Sequence, residues 1–240
     1  MKKLIAFITL AVFASVGFAA PAPSVVSGGI DLGFKSKLIE QGKVTGTNYI
    51  VAGANVEVAS FGLGVTTYNA YEGSTATGIS SGLFKRVDVA ATYKFTSTLA
   101  DLHLGATYRN ASKNASLANV RDNVLPSVKL SGKVFGTFPW DVTLLNDTKN
   151  RSNNYEGNIK LPLGTKAFKV VPAVGVGFND PGTATIAALR SVKKYYNGGL
   201  GVAYVIAGGT FSVNGYVQRV NLTDNYGQVT GYDAGYSFRF

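Results

Sequence analysis

The chain has 240 residues, no cysteine, one histidine and a formal charge of +10. One histidine and no thiolates exclude a conventional metal site and any disulfide framework, so no metal or cofactor is expected and an exported chain must hold together by strand pairing and burial. Twenty-nine glycines, 13 tyrosines and 14 phenylalanines, with almost no stretch of helical apolar period, predict an all-β chain.

At the N-terminus, Lys2 and Lys3 precede an apolar run from Leu4 to Phe18 and then small residues, the layout of a secretory signal peptide. Cleavage after Ala19 puts Gly17 and Ala19 at the two small-residue positions. Residues 1–19 are therefore expected to leave, and residues 20–240 to form a single domain of charge +8. The run falls short of the ~20 apolar residues of a membrane-spanning helix. Lys, Asp, Asn or Gly interrupts every later apolar stretch.

The first strand, GGIDLGFKSKL, sets Ile30, Leu32 and Phe34 on one face and Asp31, Gly33, Lys35 and Lys37 on the other, a period of two. After the polar stretch IEQGKVTGTN come YIVAGANVEV and FGLGVTTY, separated by Ala59 and Ser60. In LFKRVDVAATYKF, Val87, Val89, Ala91, Tyr93 and Phe95 alternate with Asp88, Thr92 and Lys94, and TSTLA turns the chain into DLHLGATYR. PSVKLSGKVF, WDVTLLN, YEGNIKLPL, FKVVPAVGVGF, KYYNGGLGVAYV, TFSVNGYVQ and the closing GYDAGYSFRF follow. Twelve strands result. Roughly ten to fourteen stay open, because Pro126, Pro162 and Pro172 fall in or beside strands, where a proline removes a ladder donor.

The connections alternate long and short, with about 8 to 15 residues on one side and roughly 2 to 5 on the other, as in outer-membrane barrels with external loops and short periplasmic turns. An even strand number puts both ends of the chain on the short-turn side. Twelve strands enclose more space than Val, Ala and Leu fill, since about eight already suffice for a packed interior. The apolar face must then point outward to lipid. The aromatic residues Tyr49, Phe61, Tyr68, Phe95, Tyr108, Phe135, Trp140, Tyr155, Phe168, Phe178, Tyr204 and Phe211 lie near strand ends and read as two interfacial girdles. The expectation is a transmembrane antiparallel up-and-down β-barrel of about 12 strands.

In the last strand Tyr232, Ala234, Tyr236, Phe238 and Phe240 share one face, and Asp233, Gly235, Ser237 and Arg239 the other. This ending resembles the C-terminal strand signature of bacterial outer-membrane barrels, a terminal Phe preceded by apolar residues at alternate positions. The resemblance implies that Tyr236, Phe238 and Phe240 are read by the barrel assembly machinery, and that lipid and lipopolysaccharide are partners. The opening IDLGFKSKLIEQGK is similar to the start of an uncharacterised proteobacterial barrel family, with Gln41-Gly42 where that family has Arg-Gly. In strand number and basic wall the chain also resembles the oligosaccharide porins for acidic sugars.

The polar phase assigns Lys35, Lys37, Arg86, Lys94, Arg109, Lys129, Lys133, Lys160, Lys169 and Arg239 to the interior, against Asp31, Glu57, Asp88, Asp101, Asp141, Glu156 and Asp233. A basic wall favours anions in a narrow aqueous pore. The reading is a porin-like passive channel for small anionic solutes, with Lys35, Lys37, Lys129 and Lys133 as solute contacts. A second reading has the charges pair across strands and plug the barrel, which then acts structurally or as an adhesin through loops such as NDPGTATIAALRSVK, with Arg190 and Lys193. The many glycines of the polar phase either leave the bore open or permit tight curvature. A barrel hydrolase is the third reading, and catalysis is not expected: His103 has Asp101 and Gly105 as same-face neighbours and no serine beside it on its own strand, which leaves a serine on an adjacent strand open. No basic cluster with stacking aromatics suggests nucleic acid.

Overall fold

The computed structural model describes residues 26–40, 43–70, 85–98, 100–111, 122–149, 151–180, 192–206, 208–222 and 226–240. The leader segment, and with it the signal-peptide expectation, lies outside these residues, as does Arg190. Thirteen antiparallel strands run in chain order: β1 Val26–Glu40, β2 Lys43–Val58, β3 Phe61–Ala70, β4 Lys85–Thr96, β5 Asp101–Ala111, β6 Asn123–Val134, β7 Phe138–Asp147, β8 Ser152–Lys160, β9 Leu163–Gly164, β10 Phe168–Asp180, β11 Val192–Ile206, β12 Gly209–Leu222 and β13 Tyr226–Arg239.

β8 and β9 are parts of one barrel strand. Both pair with β10, Lys160 opposite Ala173 and Leu163 opposite Val170. Pro162 stands at the break, where its missing N–H cannot join the ladder; the Leu161 N–H still donates to the Pro172 carbonyl at 2.8 Å. Every strand pairs with its sequence neighbour, and β13 returns to β1, so twelve strands close into the up-and-down barrel that the alternation predicts.

Burial is inverted relative to a water-soluble domain. Among the described residues the buried large apolar side chains are Tyr49, Leu125 and Tyr195, whereas Leu32, Val174, Val176 and Leu200 are each more than half exposed. The exposed set follows one register face around the sheet: Val58 opposite Phe61, Phe61 opposite Tyr93, Tyr93 opposite Leu104. An apolar face continuous around a closed sheet is stable against lipid and not against water. Aromatic rings band its two ends, with Phe61, Phe95, Phe168, Tyr204, Phe211 and Phe238 toward the short turns and Tyr108, Tyr155, Phe178 and Tyr196 toward the long connections.

Two girdle assignments fail. Tyr49 continues the inner phase of Val51 and Gly53, and Tyr68 pairs with Val51 and Arg86, so both rings face inward. Tyr49 is 1% exposed and packs on Val51 and Tyr68. The pleat fixes the face of a residue, and aromatic character does not override it. The connections also differ from expectation. β1 and β2 continue to Glu40 and Lys43, and β7 and β8 to Asp147 and Ser152, so the first and fourth long connections are largely paired strand.

Candidate functional site: the inner wall

Register puts all ten sequence-assigned cations, Lys35, Lys37, Arg86, Lys94, Arg109, Lys129, Lys133, Lys160, Lys169 and Arg239, on the face opposite the exposed apolar one. What they do there divides by location.

The seam between β13 and β1 uses two of them. Asp31 accepts from Arg239 Nη2 at 2.7 Å and from Ser237 Oγ at 2.6 Å, and Lys35 Nζ lies 3.4 Å from Asp233. Below these pairs the Gly28 N–H donates to the Phe240 carbonyl at 2.9 Å and the Phe240 N–H to the Gly28 carbonyl at 3.0 Å. Lys35 is therefore a closure residue as much as a wall charge, which its own strand does not reveal.

From β4 to β7 the side chains form a diagonal ladder. Lys94, His103 and Lys129 occupy one register row, and Asp101, Ser131 and Asp141 the next. Each basic group leans across one strand gap: Lys94 to Asp101 at 3.7 Å, His103 Nε2 to Ser131 Oγ at 3.1 Å, and Lys129 to Asp141 at 3.7 Å. His103 thus has a serine partner on the adjacent strand, the alternative that β5 by itself leaves open; a diagonal neighbour needs the β5–β6 register. A serine nucleophile also requires its histidine to be oriented through the second ring nitrogen. Among the described residues no hydrogen bond does this, and Asp101 is engaged by Lys94.

Toward the long-connection end, Asp88 is buried between two arginines. Arg86 Nε donates to it at 2.9 Å, and Arg109 Nε and Nη2 each donate at 3.2 Å. The Arg86 guanidinium also stacks 4.3 Å above the Tyr68 ring. Arg86 is 3% exposed, so this charge belongs to a packed wall element.

The inner glycines have a role that composition leaves undecided. Several stand opposite a larger residue in register, and that residue lies flat across them: Asn158 over Gly175, Asn214 over Gly201, Tyr195 over Gly177 and Tyr216 over Gly231. Crossing Gly177 lets the Tyr195 hydroxyl reach β8, where it bonds Glu156 at 2.8 Å and Asn154 at 3.0 Å. Crossing Gly231 lets the Tyr216 hydroxyl donate to the Lys37 carbonyl on β1 at 2.8 Å. These bonds tie strands that are not neighbours. A Cβ on Gly177 would fall inside the Tyr195 ring. Gly177→Ala is expected to destabilise the folded barrel by about 1–3 kcal/mol through overpacking, read as a lowered urea midpoint. The loss should be much smaller in a Tyr195→Ala background; equal losses in both backgrounds would rule out the ring contact as its cause.

Four inner cations remain. Lys37, Lys133, Lys160 and Lys169 pair with no acid among the described residues, whereas Asp31, Asp88, Asp101, Asp141 and Asp233 are each held by Lys or Arg. Lys133, Pro139 and Lys160 share one row across β6, β7 and β8. Beyond β8 the wall is hollowed by small residues. One hollow of about 240 Å³ includes Lys160, Asn197, Asn214 and Asp233 over Gly199 and Gly201. A second, of about 150 Å³, shares Asn214 and Asp233 and lies over Gly33 and Gly235.

No family model and no curated protein matches the sequence. Solved structures do match the fold. The chain is similar to the structure titled "KdgM porin" (TM-score 0.57, 12% identity, covering 89% of this chain and 99% of that one). It is also similar to the NanC porin (TM-score 0.51, 12% identity, 88% and 98%). A third is the COG4313 outer membrane channel from Pseudomonas putida F1 (TM-score 0.50, 9% identity, 93% and 98%). Identities this low carry the fold and no residue roles. Closed from β1 to β13, with its apolar side chains outside where lipid must meet them, the chain has the fold of the bacterial outer-membrane β-barrel porins.

Proposed function

We propose that the chain is a porin-like passive channel with a mild preference for small anionic solutes. One observation carries the preference: five of the seven acids that alternation assigns to the inner face are neutralised in ion pairs, while Lys37, Lys133, Lys160 and Lys169 pair with no acid among the described residues. Glu156, hydrogen-bonded by the neutral Tyr195 and Asn158, and Glu57 keep their charges, two against these four lysines. The unpaired ammonium groups give the wall an excess positive field, which raises the local concentration of anions in a confined aqueous path. The ten cations act as pore lining in this reading, six of them mainly as fixed partners. His103 and Ser131 serve as ladder members, and the chain performs no catalysis. Residues 1–19 are removed on export, and Tyr236, Phe238 and Phe240 present the ending to the barrel assembly machinery.

Reversal potentials across a planar bilayer in a salt gradient test the preference. The unmodified barrel is expected to be anion-selective, and Lys133→Gln with Lys160→Gln and Lys169→Gln to bring the potential to or past zero. Cation selectivity of the parent would contradict the reading, and so would a triple variant unchanged in selectivity.

A further inference from the structure

β5 carries the chain's single histidine on the inner face, and His103 is the basic member of the β4–β7 ladder that has no acid for a partner among the described residues. Lys94 leans to Asp101 and Lys129 to Asp141, each at 3.7 Å, so those two pairs cancel. His103 Nε2 lies 3.1 Å from the Ser131 hydroxyl instead. A hydroxyl donates to a bare imidazole nitrogen and accepts from a protonated one, so this contact is kept in either charge state. A carboxylate in the same place would favour the charged ring alone.

The charged groups that face His103 are few. β4 offers Lys94, β5 Asp101, β6 Lys129 and β7 Asp141; Glu57, on β2, belongs to the neighbouring row through Gly62, Thr92 and Gly105. From about pH 5 to about pH 8 lysines stay protonated and carboxylates ionised, since their ordinary titrations lie outside that window. Imidazole, ordinarily at about 6.5, titrates inside it. The ladder is therefore neutral with His103 neutral, and carries one positive charge with His103 protonated.

Place and magnitude make that charge matter. Asp101 opens β5 after the short turn and His103 is the next inner position, so the ring stands near the short-turn mouth. The flanking Lys94 and Lys129 are part-exposed there, whereas Arg86 and Asn123, toward the long connections, are sealed. Ten cations against seven acids in the polar phase leave an excess of three. One more charge raises that excess by about a third, in a confined path where fixed charges set the local ion concentration.

We propose that His103 is a titratable selectivity determinant: its protonation adds a fixed positive charge at the short-turn mouth and makes the channel more anion-selective in acid. The inference rests on the channel reading and adds a pH dependence to it.

The experiment is the reversal potential of the purified full-length barrel in a planar bilayer of zwitterionic phosphatidylcholine, in a potassium chloride gradient, near pH 8 and near pH 5. The chloride-to-potassium permeability ratio is expected to rise about twofold in acid, the effect left to one unit charge in water after screening by salt. His103→Gln should hold the alkaline ratio at both pH values, and His103→Lys the acid ratio at both, because one removes the titrating charge and the other makes it permanent. Should the lysine variant lose the heat-modifiable migration of the folded barrel, the glutamine variant alone decides. A parent ratio that is flat or falls in acid would overturn the assignment and leave the channel standing, and so would a rise that persists in His103→Gln. Cation selectivity at both pH values, with the same histidine-dependent rise, would contradict the anion preference and keep the role of His103. Absence of conductance steps would remove the channel reading and this one with it.

Discussion

Deleting Phe240 is expected to abolish or nearly abolish accumulation of the folded barrel in the outer membrane. Two links lead to this. The residue closes the sheet through reciprocal backbone bonds with Gly28, at 2.9 and 3.0 Å, and both are lost with it. Its ring, 64% exposed beside Phe238 at a centroid distance of 6.3 Å, ends the outward apolar face that the assembly machinery is proposed to read. Surface protease accessibility and heat-modifiable migration report the outcome. A Phe240→Ala variant separates the two links, since it keeps the backbone bonds and removes the ring. Wild-type levels of the deletion would sink the proposed assembly role.

Asp88→Asn is expected to cost about 3–5 kcal/mol, the loss found when one partner of a buried ion pair is removed and the other stays charged. Asp88 receives Arg86 and Arg109 together, and Arg86 is nearly sealed against Tyr68. Neutralising the carboxylate leaves two guanidinium groups facing each other across a site with little water. The measurement is the urea midpoint of the refolded barrel in detergent. Arg86→Gln added to Asp88→Asn should recover part of the loss, because it removes one of the two confronted charges. A double variant worse than Asp88→Asn by the full cost of Arg86→Gln would point to packing, and not charge, as the cause. This substitution should also disturb the barrel more than Gly177→Ala, where the offending ring can swing into the bore.

The fold was legible because a strand declares its faces by alternation. Ile30, Leu32 and Phe34 against Asp31, Gly33 and Lys35 need no neighbour to be sorted, and register places the ten cations of the polar phase opposite the apolar face. Phase, and not residue type, puts Tyr49 and Tyr68 inside, and polar residues pair as strand in β1 up to Glu40 and in β7 up to Asp147. Polar paired strand beyond the apolar band has no distinct composition, since neither of its faces must be apolar there.

The site was half legible for a related reason. Which side chains face the bore follows from period two, but which of them are free depends on strand order. Lys35 meets Asp233 because β13, almost 200 residues away, closes on β1. His103 meets Ser131 because β6 is offset diagonally from β5. Gly177 accepts the Tyr195 ring because register sets them opposite each other.

By itself the sequence determined an all-β barrel with apolar residues outside and a basic polar wall within, since backbone pleating ties each side chain to one face. Only the closed tertiary structure decided which charges cancel, which glycines carry a neighbour's side chain and which lysines are left facing the bore, because those outcomes depend on pairs brought together by closure and register.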